Sequence, residues 1–300
     1  MKTASTMGLL TLCCLMACDL GKTTSQLTAK TVAVATILAT PPVTLTANDV
    51  AIPDASIRTF DGGVPFSFDA GAFLSDAGFT VPPQTVASLF FGQRQGESVD
   101  VAPVGIPAAK VTLTEVGGKS WPLSETGNGN YQLVGEDAGF TYKSSATYDF
   151  TVEQGGGTFV AEVEAVPAQE HVTQFHPAGG PISLKANQAF SFTRPEPQSG
   201  VDANLGFVTV FPVDRDGSRL SPSYTNVPTK PLEFLKLVLA PQEWKATSVT
   251  IPGTAFPSAN ANYVIVLQSV KLGGPKSNNL FSGSAILAGT ADIGVVKTQP

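Results

Sequence analysis

Short runs rich in Val, Thr, Ile, Phe and Tyr alternate with Gly, Pro, Asn and Asp from residue 31 to the end of the chain. The turn-forming residues recur about every ten residues, and the β-branched and aromatic residues between them favour strands. This spacing is typical of β-sandwiches rather than of helical or α/β proteins. The composition agrees, because 29 Gly and 23 Pro among 300 residues supply many turns. We therefore predict an all-β protein.

The clearest strand pattern lies between residues 107 and 167. Apolar residues alternate along it, and glycine-rich segments at 127–130 and 155–157 supply the backbone freedom that hairpin turns need. The order of these strands resembles the transthyretin-type, carboxypeptidase-regulatory-like sandwich domains appended to many secreted bacterial proteins. Immunoglobulin-like topologies produce a similar pattern, so the resemblance implies a sandwich and leaves its topology open. The alternating residues are Val111, Leu113, Tyr131, Leu133, Tyr148, Phe150, Val152, Phe159, Ala161 and Val163.

The segment HPAGGP at 176–181 reads as a connection to a second strand pattern. We therefore predict two immunoglobulin-like or transthyretin-like β-sandwich domains, residues 31–175 and 176–300. Each is large enough to bury a core without disulfides. The segment 229–240 stays open, although Pro231 near its start and leucines at helical spacing favour a short helix. Strands of the second domain are predicted around 182–184, 190–192, 206–213, 219–224, 246–253, 262–270 and 284–296.

All three cysteines lie within the first eighteen residues. An apolar run from Gly8 to Ala17, preceded by Lys2, has the anatomy of a secretory signal peptide. The run is too short to span a bilayer, which needs about 20 residues. It ends in Leu15-Met16-Ala17-Cys18, which resembles the lipobox of bacterial lipoproteins.

The lipobox resemblance implies that residues 1–17 are removed and that the Cys18 thiol receives a diacylglyceryl group. Two or three acyl chains make a membrane attachment stable, whereas one binds only marginally. Residues 18–30 would then contain the lipidated cysteine and a flexible polar tether. The mature chain would keep no cysteine for a disulfide, a metal or a nucleophile. The whole arrangement is similar to uncharacterised bacterial surface lipoproteins built from sandwich domains.

The charge balance argues against nucleic acid as a partner. The chain has 18 Lys and Arg against 24 Asp and Glu, and loss of Lys2 with the signal peptide leaves 17 against 24, a net charge of −7. An acidic chain repels phosphate backbones and anionic lipid headgroups. We therefore expect the N-terminal acyl chains to be the only membrane contact.

The sequence holds few candidates for catalysis. His171 and His176 are the only histidines, and their spacing matches neither the i, i+4 zinc pair of a helix nor a zinc finger. In an extended chain they would face opposite sides, so we predict a structural or solvated role for both. No G-x-S-x-G nucleophile elbow occurs either. We predict no catalytic residues, no cofactor and no metal site.

One acidic turn needs separate consideration. Asp214, Asp216 and Gly217 are similar to part of a calcium loop, but Ser223 stands where an EF-hand needs its bidentate Glu. We therefore predict an Asp-Gly hairpin turn at this point.

Four aromatic residues, Trp121, Tyr131, Tyr142 and Tyr148, lie on neighbouring predicted hairpins. A sandwich of this size needs large side chains in its core, so core packing is the default expectation. If these side chains were instead exposed and coplanar, they would form a platform on which a sugar could stack. Trp244 is undecided in the same way.

We expect a bacterial cell-envelope protein, lipid-anchored to a membrane and exposed outside the cytoplasm, with the choice of inner or outer membrane left open. Its expected role is non-catalytic: structural, adhesive or protein-interacting, with an envelope or surface protein as partner. The first alternative is a glycan-binding module that uses the four aromatic residues. The second is an envelope hydrolase, which requires His171 or His176 within hydrogen-bonding distance of a serine or a carboxylate.

Overall fold

A computed structural model of the protein describes residues 25–45, 79–81, 83–96, 101–134, 139–197, 202–213, 221–228, 233, 236–237 and 240–300. These residues are predominantly in strands, which confirms the prediction of an all-β protein. The strands are β1 (Thr31–Thr40), β2 (Val43–Leu45), β3 (Phe79–Val81), β4 (Gln84–Gln93), β5 (Val104–Gly105), β6 (Lys110–Glu115), β7 (Ser120–Gly127), β8 (Asn130–Val134), β9 (Tyr148–Gln154), β10 (Gly157–Val163), β11 (Ile182–Lys185), β12 (Phe190–Thr193), β13 (Leu205–Val213), β14 (Tyr224–Thr225), β15 (Ser248–Ile251), β16 (Asn262–Pro275) and β17 (Ala285–Gln299).

In the described residues, helical structure is limited to short segments. Three 3₁₀ helices cover Thr173–Phe175, Pro241–Lys245 and Gly253–Ala255, and residues 25–28 form one helical turn. Within the segment 229–240, the described residues Glu233, Lys236 and Leu237 are helical, as the leucine spacing favoured. No helix in the described ranges is long and apolar enough to cross a membrane.

Nine strands close into a continuous hydrogen-bonded ring. Its order is β17-β1-β4-β8-β7-β6-β9-β10-β16, and β16 pairs with β17 to complete the circuit. Every contact in the ring is antiparallel except the one between β1 and β17, which is parallel. Each of these nine strands has a hydrogen-bonded neighbour on both sides, and β10 meets β16 at Ala161 and Glu162.

A large hydrophobic cluster, here called the first core, fills this ring. It draws residues from eight of the nine strands, and includes Ile286 and Ala288 from β17. Its side chains alternate along each strand, as in Val111 and Leu113 of β6, because successive residues of a strand point to opposite faces. Its largest fully buried members are Ile37, Leu89, Phe91, Leu113, Tyr131, Tyr148 and Phe150.

A second core lies at the other end of β16 and β17. There the sheet continues in the order β11, β17, β16, β13 and β14. A separate two-stranded sheet of β12 and β15 contributes Phe192 and Ile251 to this second core. Val172 and Phe175, in the chain between β10 and β11, also belong to it. The described residues thus have two main cores, joined by one long hairpin.

The β16–β17 hairpin is the longest element in the described part of the chain, with strands of 14 and 15 residues. Residues 285–296 of β17 are all buried, because other elements cover both faces of the strand. Leu287, for example, faces a smaller cluster that contains Phe207 and Trp244, whereas its neighbours Ile286 and Ala288 face the first core. The undecided Trp244 is thus a core residue.

Atoms of neighbouring elements approach β17 closely at two glycines. A Cβ built on Gly289 would collide with the carbonyl oxygen of Ser269 on β16, and one on Gly294 would come within 2.9 Å of the Phe175 ring. Neither glycine needs an unusual backbone conformation, so close approach is what excludes a side chain there.

Among the described residues, the predicted strands agree with the structure except around residues 115–127 and 219–224. Residues 219 and 220 lie outside the described part, and Tyr224 is the one residue of 221–224 in a strand. The turn at 127–130 is present, with Asn128 and Gly129 at positive φ, but it joins β8 to β7, a strand that the sequence pattern did not predict. Pro122 interrupts the β7 pattern, and its exposed ring faces away from the first core. The pattern also did not predict that β1 would pair with β17 across the predicted domain boundary at 175/176.

We expect Gly289→Ala to lower the free energy of unfolding by about 1–3 kcal/mol, the usual cost of overpacking, because the new methyl group would meet backbone that cannot move aside. Gly274→Ala is the matched control on β16, since a Cβ there meets no atom within 4 Å. The control should stay within about 0.5 kcal/mol of the unsubstituted protein. Urea unfolding of both variants measures the difference, and equal losses would contradict the close approach.

Candidate functional site

The four aromatic residues singled out from the sequence do not form an exposed platform. Trp121, Tyr131 and Tyr148 are buried in the first core, with relative exposures of 8%, 1% and 0%. Tyr142 is half-buried at its margin, with its ring centroid 6.3 Å from that of Tyr148. The expectation of core packing is therefore the correct one, and the sugar-stacking alternative loses the surface that it required.

The hydroxyl groups of these tyrosines are bound inside the protein. The Tyr131 hydroxyl donates to the Ile106 carbonyl and accepts from the Ala109 N–H, both at 2.9 Å. Tyr142 donates to the carbonyl of Pro167 at 2.6 Å. Burial raises the pKa of Tyr131, Tyr142 and Tyr148 above the ordinary tyrosine value, because removal from water disfavours the phenolate.

A cluster of ionisable side chains lies instead between the chain segment that follows β10 and the middle of β17. The segment contains Glu170, His171 and His176, and Asp292 belongs to β17. The 3₁₀ helix Thr173–Phe175 folds the segment back on itself. As a result, the two histidine rings stack with centroids 4.5 Å apart and planes 11° apart.

Asp292 is the fixed centre of this cluster. Its side chain is only 2% exposed, and its Oδ2 accepts a hydrogen bond from the Val172 N–H at 2.7 Å. Its Oδ1 lies 2.9 Å from Nε2 of His176 and accepts from the Ile293 N–H at 3.1 Å. Nδ1 of His171 lies 4.0 Å from Oδ2. One atom each from His171, His176 and Asp292 is of a type that ligates metal ions, and these three atoms lie within 4.8 Å of one another.

This arrangement corrects one sequence-based inference. An extended chain would have placed His171 and His176 on opposite faces, but the 3₁₀ turn brings both rings to the same side. The imidazoles are 64% and 41% exposed, whereas Val172 and Phe175 between them are buried in the second core. No signal in the sequence pointed to Asp292, because its partners are about 120 residues away in the chain.

The neighbouring Glu170 belongs to a buried ion pair. Both of its carboxylate oxygens accept hydrogen bonds from Arg194, at 2.9 and 3.0 Å, and the Arg194 side chain is only 3% exposed. Arg194 also donates to the carbonyls of Trp244 and Asn204. Glu170 accepts further hydrogen bonds from the side chains of Asn204 and Ser269. This network holds the start of the histidine segment against β12, β13 and β16.

A second charged group consists of Lys276, Asp149 and Glu162. Lys276 Nζ contacts Glu162 at 2.5 Å and Asp149 at 3.3 Å, and all three side chains are partly exposed. Desolvation raises the pKa of Asp149, while its hydrogen bond to Lys276 opposes that effect. The group ties the end of β16 to β9 and β10.

Two sequence predictions concern residues outside the described part of the chain. Cys18, the predicted lipidation site, is one, and the turn containing Asp214, Asp216 and Gly217 is the other. Within the described part, neither histidine is hydrogen-bonded to a serine or threonine hydroxyl, and His176 meets a carboxylate. The contact that the hydrolase alternative required, a histidine within hydrogen-bonding distance of a serine or a carboxylate, is therefore present between His176 and Asp292.

No protein-family model matches the chain, and no curated protein is similar to it at a significant level.

Glu170→Gln should lower the free energy of unfolding by about 3–5 kcal/mol, because it leaves the buried Arg194 guanidinium without its counter-charge. Glu153→Gln is the matched control, since Glu153 is 52% exposed and pairs with an exposed Lys110 at 3.2 Å. An exposed pair contributes at most about 1 kcal/mol. Urea unfolding of the two variants tests this, and similar losses would show that the Glu170–Arg194 pair is not the buried anchor we describe.

The tyrosines supply a pH-dependent prediction. The pKa of these tyrosines is higher in the folded chain than in the unfolded chain. Their contribution to the free energy of unfolding is therefore fully present below the ordinary tyrosine pKa of about 10, and it falls as the pH rises above that value. Absorbance titration of phenolate should show most tyrosines of the native protein ionising at higher pH than those of the same protein in urea. Coincident titration curves would contradict burial of these hydroxyl groups.

Proposed function

We propose that this protein is a lipid-anchored component of the bacterial cell envelope with a non-catalytic structural or protein-interaction role. The observation that carries the proposal is the sequence Leu15-Met16-Ala17-Cys18 at the end of a short apolar run, directly ahead of an all-β body. In this proposal residues 1–17 are a signal peptide and Cys18 bears the acyl chains.

The attachment of the N-terminal segment to the body supports an anchoring role. β1 lies between β4 and β17 and pairs with both, so a pull from the membrane would act on a strand held on two sides. Just before it, the Gln26 amide donates to the carbonyl of Ser277 at 3.3 Å, and Lys30 accepts from the Arg94 N–H at 2.8 Å. Such a load would be shared by many hydrogen bonds in parallel.

The predicted tether is shorter than the sequence suggested. Residues 18–30 were assigned to it, but Gln26 is buried and residues 25–28 form a helical turn against the body. Only residues 18–24 are left for a tether, which at full extension reach about 25 Å. We therefore propose that the body is held close to the lipid headgroups.

We also propose that the two cores correspond to two sandwich domains of immunoglobulin-like or transthyretin-like type, divided near residues 175 and 176. Support comes from the separate sets of residues in the two cores and from the strand pairs that cover each of them. The long hairpin β16–β17 would then be shared by both domains.

A hydrolase is the second candidate, and one observation favours it. His176 and the buried Asp292 form a pair at 2.9 Å, an arrangement that orients the imidazole in many acid–base sites. The described residues supply no hydroxyl bonded to either imidazole, so the nucleophile of such a site is missing from the contacts. We therefore favour the non-catalytic role.

Intact-mass analysis of the protein from a bacterial membrane fraction tests the anchor. The mature protein should begin at Cys18 and carry acyl mass, and Cys18→Ala should carry none and leave the membrane fraction, because Cys18 is the only cysteine at the lipobox position. Cys14→Ala is the matched control, since Cys14 lies inside the predicted signal peptide, and it should remain acylated. Retention of residues 1–17 without lipid would overturn the proposed anchor.

A further inference from the structure

His171 and His176 are the only two imidazoles in the chain, and both converge on one buried carboxylate. Isolated exposed histidines are ordinary surface residues. A stacked pair directed at a carboxylate that is 2% exposed is a more specific arrangement, because that carboxylate is held inside the protein by two backbone N–H groups. From this geometry we propose that His171, His176 and Asp292 bind one divalent transition-metal ion of the Zn²⁺ class.

The donor set decides the class of ion. Two imidazole nitrogens and one carboxylate oxygen suit Zn²⁺, Cu²⁺, Ni²⁺ and Fe²⁺. Ca²⁺ needs six to eight oxygen ligands, and Mg²⁺ prefers carboxylates, phosphates and water. A single carboxylate beside two nitrogens fits neither of these two ions. The site therefore selects against Ca²⁺ and Mg²⁺ by its chemistry.

The distances are close to those that an ion needs. Zn–N and Zn–O bonds of about 2.0–2.2 Å at tetrahedral angles put two ligand atoms about 3.3 Å apart. His176 Nε2 and Asp292 Oδ1 are 2.9 Å apart and would separate by a few tenths of an ångström. His171 Nδ1 is 4.0 Å from Asp292 Oδ2 and would move towards the ion. When the ion binds, the Nε2 lone pair of the neutral ring coordinates the metal, and the single ring proton is carried on Nδ1.

One ring must turn for both to coordinate. The lone pair of an imidazole nitrogen lies in the ring plane, and two nearly parallel planes share no point at which an ion could sit. His171 is the ring with room to rotate, because 64% of its side chain faces solvent. Ion binding would thus replace the ring stack of the described structure by a chelate around Asp292.

The rest of the cluster is already arranged. Val172 and Phe175 fix the histidine segment in the second core, the Glu170–Arg194 pair fixes its start, and the Val172 N–H sets the orientation of Asp292. Outer partners of this kind typically change metal affinity by 10–100-fold.

Three protein ligands leave one tetrahedral position for water or for a group of a partner molecule. The bound ion would also fasten the connection between β10 and β11 to the middle of β17.

The test is a titration of the tag-free full chain in detergent with ZnCl₂, after the cysteine thiols have been alkylated to remove competing ligands. We expect saturation at one Zn²⁺ per chain by calorimetry, a rise of the unfolding temperature with Zn²⁺ concentration, and no such effect of MgCl₂ or CaCl₂. Titration with Cu²⁺ should give an electron paramagnetic resonance spectrum with nitrogen hyperfine lines from imidazole coordination, and these lines should weaken in His171→Ala.

The variants make the result specific. His171→Ala removes an exposed ring and leaves every hydrogen bond of Asp292 in place, so it should fold and bind Zn²⁺ at least about 10-fold more weakly. His176→Gln should weaken binding in the same way, and Glu153→Gln, a distant carboxylate variant, should bind as the unsubstituted protein does. Absence of saturable binding, or equal affinity in His171→Ala and the unsubstituted protein, would overturn the proposal. Neither outcome depends on the acylation of Cys18, so the metal site and the anchor are tested separately.

Discussion

The pairing of β17 with β1 on one side and β16 on the other is the constraint on which the rest of the structure depends. Twelve consecutive residues of β17 are buried. Its first half contributes Ile286 and Ala288 to the first core, and its second half contributes Val296 to the second core. A strand that belongs to both cores couples them mechanically. The close approaches at Gly289 and Gly294 follow from the same crowding on its two sides.

Buried polar groups complete the connection between the two cores. The chain that leaves β10 is held to β16 and β17 through Glu170, Arg194 and Asp292, each of which is hydrogen-bonded to other groups of the protein. Such groups are costly to bury unless every charge is paired, and here each is satisfied by several hydrogen bonds. They therefore fix the position of the histidine segment. The proposed metal site depends on this fixed position, because the buried Asp292 carboxylate lies beside the exposed imidazoles of His171 and His176.

The proposed anchor and the proposed metal site lie on independent parts of the chain. Cys18 precedes the body by a short segment, and Gln26 and Lys30 fasten the chain to the body just ahead of β1. The histidines lie where the chain passes between the two cores. If both proposals hold, attachment to the membrane and recognition of an ion take place at separate elements of the protein.

The sequence by itself determined the all-β character, most strand positions and the core residues of β6, β9 and β10, because period-two alternation and turn-forming residues are local signals. It also determined the N-terminal pattern that predicts lipidation, which is local as well. It missed β7, where Pro122 weakens the alternation. For Trp121, Tyr131 and Tyr148 it predicted core packing as the default and an exposed platform as the alternative. Only the tertiary structure decided that these rings are buried, that β1 joins β17, and that Asp292 meets His176. Those contacts join residues far apart in the chain, so no local pattern of residues could have specified them.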